Sequence, residues 1–104
     1  MMLATTDQLP GRAVIEVLGL VRGSSVRSAH VGRDVLAKLK NLVGGEVSEY
    51  TQLLAEAREQ ALDRMVAEAR ARGADAIVGL RFTSTDIGDD AAEMLAYGTA
   101  VKLG

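Results

Sequence analysis

Apolar residues recur along the chain in two rhythms, and the predicted elements follow from the change between them. Residues 44–73, GGEVSEYTQLLAEAREQALDRMVAEARARG, open on a glycine pair and close on a glycine. Between them Val47, Tyr50, Leu54, Ala57, Ala61, Met65 and Ala69 share one face of a helical wheel, and Glu49, Glu56, Glu59, Asp63 and Arg70 share the opposite face. This predicts one long helix, about 40 Å at roughly 1.5 Å per residue. Glu46 and Glu49 fall in its first turn, where the helix dipole favours negative charge. Glu68 and Arg72 are spaced for an ion pair on the helix surface. Gly73 stands where a left-handed C-terminal cap belongs.

The other rhythm is that of strands. Residues 13–22, AVIEVLGLVR, are nearly continuously apolar and β-branched, the pattern of a strand covered on both faces. Gly19 inside it predicts a bulge or a close backbone approach. Gly23-Ser24-Ser25 is expected to break or kink the strand, with Val26-Arg27-Ser28 resuming it. Asp34 can cap a shorter helix carrying Val35, Leu36, Leu39, Leu42 and Val43, ended by Gly44-Gly45. Residues 76–85 and 93–103 read as two further strands joined by a hairpin loop at 87–90. Residues 1–12, with Thr5-Thr6-Asp7 and Pro10-Gly11, read as an exposed lead-in.

The order strand, helices, strand, strand (β-α-α-β-β) is an α/β arrangement of the α+β kind. It comprises a small three-stranded mixed sheet packed on one long helix. The first two strands need a crossover and should run parallel, and the last two antiparallel. Such a sheet keeps two edges and an open face, so partner subunits are expected to complete it.

Composition sharpens this picture. A chain of 104 residues is read as one domain over residues 1–104. Its core has to be built from Ala, Val, Leu, Ile and Met, because Phe82, Tyr50 and Tyr97 are its only aromatics. Leftover apolar surface again points to self-association. The absence of cysteine excludes a disulfide framework, a thiolate metal site and a cysteine nucleophile, and is compatible with the cytoplasm. The N-terminal residues lack a basic stretch followed by an apolar one, and no apolar run approaches about 18 residues, so neither a signal peptide nor a membrane span is indicated. Basic residues gather in 12–40 and are not interleaved with aromatics, which argues against single-stranded nucleic acid as a partner.

Few residues carry candidate chemistry. Arg58 lies near the apolar side of the long helix, where a guanidinium either snorkels or pairs with a carboxylate. Glu16 and Glu93 are charges inside strand-like runs and candidate partners for it; Arg81 is a further charge in such a run. Together they suggest an anion or polar-ligand pocket at the helix–sheet or subunit boundary, or else ion pairs that set packing register. His30 is the only histidine and cannot build a zinc site alone. Asp86, Asp89 and Asp90 cluster near the hairpin loop but match no calcium-loop template. No P-loop, dinucleotide fingerprint or Ser–His–Asp arrangement is present.

LGLVRGSSV at 18–26, NLVGGEVSEYTQLLAEAREQALDRM at 41–65, GADAIVG at 73–79 and AYGTAV at 96–101 resemble the YbjQ-like proteins of bacteria and archaea over nearly the whole chain. The resemblance implies a dodecin-like subunit assembled as a ring, a pentamer, in a family labelled heavy-metal-binding. It transfers no metal ligands, since soft metals prefer thiolate and imidazole, and it transfers no catalytic residues. The resulting expectation is a cytoplasmic homo-oligomer without enzymatic activity or cofactor. A small anionic or metal-associated ligand is expected at its subunit boundaries, with Arg58, Arg81 and Glu93 as ligand-binding residues. A purely structural or interaction module is the alternative.

Overall fold

The computed structural model describes residues 1–28, 48–88 and 91–104. Strand β1 spans Met2–Leu3, β2 Val14–Ser28, helix α1 Ser48–Ala71, β3 Ala76–Gly88 and β4 Ala91–Leu103. They form one sheet in the order β1-β3-β4-β2 with α1 across one face. The short helix expected after Asp34, His30, and the loop residues Asp89 and Asp90 lie outside the described residues.

Three features of the predicted sheet change. It has four strands, because Met2–Leu3 pairs in parallel with Ala76–Ile77. The lead-in continues that pairing through Ala4 N to Ile77 O at 2.9 Å and Gly79 N to Thr6 O at 2.9 Å. β2 and β3 do run parallel in direction, but β4 lies between them and is antiparallel to both. β2 also continues unbroken through Gly23-Ser24-Ser25.

The reason for the unbroken strand is packing. Gly23 faces the helix, and a Cβ there would overlap the Ala61 carbonyl oxygen and the Met65 amide nitrogen. The glycine therefore permits a close helix–strand approach. Small residues on the helix side complement it: Ala57, Ala61 and Ala69 are buried with Met65, against Val21, Ile77, Ala96 and Ala100. The predicted apolar stripe thus faces the sheet along its described length. At Gly19, φ is +104° and the pairing with β4 shifts between Val17 and Gly19, so the predicted bulge is present.

The helix ends as its sequence indicated. Gly73 has φ +76°; its amide donates to Arg70 O at 3.0 Å, and Ala74 N donates to Ala69 O at 3.0 Å. These two bonds are a Schellman cap, and they satisfy carbonyls that the helix itself leaves open.

The helix also covers the outer edge of β2. Arg72 Nη1 donates to Leu18 O at 3.3 Å and Leu20 O at 2.9 Å, and Arg64 Nη1 donates to Ser24 O at 2.5 Å. Arg22 N donates to Glu68 Oε2 at 3.3 Å, while Glu68 Oε1 pairs with Arg72 at 2.9 Å. Residues 18, 20, 22 and 24 alternate along the strand, so their polar groups all face outward, and three side chains spaced one helical turn apart reach them. An edge that would otherwise template aggregation is closed from Leu18 to Ser24.

Candidate functional site

Strand register fixes which side chains share the sheet face turned away from α1. Reading β2, β4 and β3 across, the rows are Leu20–Thr99–Val78, Arg22–Tyr97–Arg81, Ser24–Leu95–Thr83 and Val26–Glu93–Thr85. Below them lies Val17–Val101–Ala76. Here Leu103 and Leu9 of the lead-in pack on the buried Ala76, Val78 and Val101 and form a second small core.

Above that core the face is open. Val17 (65%), Leu20 (56%) and Val26 (56%) are more than half exposed, and Tyr97 is exposed at the centre. Between the lead-in and the sheet is a cleft of about 670 Å³. Val14, Val17, Val78 and Val101 give it an apolar floor, and Asp7 and Arg12 bring charge to its lining. The Arg22–Tyr97–Arg81 row adjoins its Thr99 end.

The residues singled out from sequence fall in different places. Arg81 and Glu93 share this outer face, but they stand two rows apart, about 13 Å along the strands. Arg81 is engaged with the lead-in: its Nη1 donates to Thr5 O and Leu80 O, each at 2.8 Å. Arg58 is exposed on α1, which packs on the opposite face, so one chain does not gather the three into a single pocket. Glu16 pairs in register with Lys102 near the bulge.

A polar cluster that sequence reasoning missed lies on the helix side. Ser25, only 1% exposed, donates its hydroxyl to Gln60 Oε1 at 2.7 Å. Arg27 Nη2 donates to the same oxygen at 3.2 Å. The available signal was alternation: Gly23, Ser25 and Arg27 share one face if the strand is not interrupted. Expecting a break at Gly23 hid it.

No helix among the described residues is long and apolar enough to cross a membrane. Nor do they contain a group of three or more His, Cys, Asp or Glu side chains placed to hold a metal ion.

Among the described residues, these features define a small α+β fold in which one long helix covers one face of a sheet and leaves the other largely open. The chain belongs to the YbjQ family, whose sequence profile, described as "Putative heavy-metal-binding", matches residues 1–104. It is 53% identical over 104 residues to a UPF0145 protein of Shewanella frigidimarina, covering 100% of this chain and 97% of that one. It is 55% identical over 101 residues to a UPF0145 protein of Archaeoglobus fulgidus, covering 97% and 94%. A crystal structure of a DUF74-family protein of unknown function from Pediococcus pentosaceus shares the fold, with TM-score 0.62, 14% identity and coverage of 100% and 98%. The family description does not fit the donors present for a soft metal: the chain has no cysteine and one histidine, and the described residues bring no ligand group together.

Proposed function

We propose that the protein is a non-catalytic, cytoplasmic homo-oligomer, a closed ring and specifically a pentamer, that holds a small anionic or metal-associated ligand where subunits meet. The observation that carries this reading is the open sheet face, with Leu20, Val26 and Tyr97 exposed beside a cleft whose floor includes the exposed Val17. β2 has 15 residues and spans about 50 Å, more than α1 and the lead-in, the described elements beside the sheet, cover on both sides. The occupant is a second copy of this chain. Arg22 and Arg81 lie on the open face, whereas Glu56, Glu59 and Asp63 are exposed on the outer side of α1. A head-to-tail contact between two different surfaces of opposite charge closes into a ring when the rotation permits. In that arrangement Arg58 of one copy is brought toward the face carrying Arg81 and Glu93 of the next, which a single chain cannot achieve.

A specific observation favours the rival reading, a structural module without ligand: Arg81 Nη1 donates to backbone carbonyls, and its bond to Thr5 O ties the lead-in down. Native mass spectrometry separates the two, since it reports copy number and any retained molecule together. The wild type is expected as a ring, and Leu20→Asp as a folded monomer by circular dichroism. A wild-type monomer at micromolar concentration sinks the assembly. A ring that retains nothing, and that no metal or metabolite stabilises in a thermal-shift screen, leaves the structural module.

A further inference from the structure

The Ser25–Gln60–Arg27 cluster between helix and sheet is rich in donors and short of acceptors. Gln60 Oε1 takes both the Ser25 hydroxyl at 2.7 Å and Arg27 Nη2 at 3.2 Å, so its two lone pairs are used. The amide orientation is forced, because a guanidinium can only donate and must face the oxygen. Of the five N–H donors of the Arg27 guanidinium, one is spent on Gln60 here. Arg27 Nε is buried and has no hydrogen-bond partner. Arg27 also takes part in no ion pair among the described residues, where the only pair is Arg72–Glu68.

Such an atom is expensive. A buried donor left unsatisfied bears its full desolvation penalty, and a larger one when the group is charged. Guanidinium Nε and Nη2 form one side of a planar fork that matches the two oxygens of a carboxylate or phosphate. Here one arm of that fork already leans on Gln60, and the other arm waits for an acceptor. Cross-strand from Arg27 stands Ala92, and cross-strand from Ser25 stands Met94, neither of which carries a side-chain oxygen.

We infer that Arg27 is an oxyanion-binding residue, positioned by Gln60 and Ser25, whose Nε–H is satisfied by a carboxylate or phosphate oxygen from outside the described fold. This site is separate from the open face and uses none of Arg58, Arg81 or Glu93, so a free anion bound here does not depend on the assembly proposed above. The acceptor has two sources, a free small anion or the carboxylate of a second copy.

The Arg27 Nε–H resonance, followed by ¹H–¹⁵N correlation spectroscopy of the full-length protein, reads the bond directly and without a destabilising variant. Inorganic phosphate or acetate is titrated at constant ionic strength, and the protein is separately diluted. A saturable shift of this resonance with phosphate or acetate identifies a free anion. A shift on dilution, with insensitivity to both anions, identifies a carboxylate of a second copy. A resonance that responds to neither overturns the inference. For the free anion, calorimetry should show binding that weakens at least tenfold in Arg27→Lys, where the fork is lost but the charge kept, and that vanishes in Arg27→Met; equal binding by Arg27→Met also overturns it.

Discussion

Replacing Gly23 by alanine tests whether the closeness of α1 to β2 holds the fold together. The new methyl group would overlap Ala61 O and Met65 N and come to 2.8 Å from Arg64 Cβ. Two of these three atoms are helix backbone, so no side-chain rotation relieves the clash. The helix has to retreat by about 1 Å, and a gap of that size forfeits a quarter to a half of the dispersion energy of the contacts it opens. Those contacts involve the fully buried Ala61, Met65 and Ala69 against Val21, Ala96 and Ala100. We expect about 3 kcal/mol, the upper end of the usual overpacking cost. At about 4–8 °C per kcal/mol, that is a fall in Tm of about 12–24 °C. Thermal unfolding followed by far-ultraviolet circular dichroism, at fixed protein concentration, measures it. Gly11→Ala is the control: nothing lies within 4 Å of its added methyl, and only the strain of φ +83° remains, about 1 kcal/mol. Ala61→Gly should not rescue Gly23→Ala, because the obstructing atoms are main-chain. A fall of less than about 4 °C for Gly23→Ala would refute the reasoning.

Met65 is 0% exposed at the centre of the helix–sheet core, so Met65→Ala should cost about 2–5 kcal/mol by urea unfolding with unchanged m-value. Arg72→Ala removes two bonds to β2 carbonyls and the Glu68 pair from a part-exposed site; about 1 kcal/mol is expected, with faster hydrogen exchange confined to the β2 edge. Tyr97→Glu on the open face should leave the circular dichroism spectrum intact while lowering the mass seen by sedimentation; an unchanged mass would place the subunit contact elsewhere. Exhaustive chelation should shift Tm by no more than about 1 °C; a larger fall restored by zinc would mean that subunits together build a metal site that the single chain lacks.

Much of the helix was legible because its determinants are local. The stripe through Ala57, Ala61, Met65 and Ala69 repeats within one turn, and the Gly73 cap bonds back only to Arg70 and Ala69. The bulge at Gly19 was legible for the same reason. Three of the four strands were recognisable one by one, and their directions followed from the connections.

What sequence alone determined, then, is a long amphipathic helix with its cap and the presence of three of the strands. Tertiary structure decided the rest. Only pairing across the chain puts β4 between β2 and β3, recruits Met2–Leu3 as a fourth strand, and turns Gly23 from a break into a contact. Only folding joins Ser25 and Arg27 to Gln60, more than thirty positions away, and leaves a guanidinium N–H facing no acceptor. Local periodicity says which face of an element is apolar; which element covers that face depends on register and close packing between segments distant in the chain.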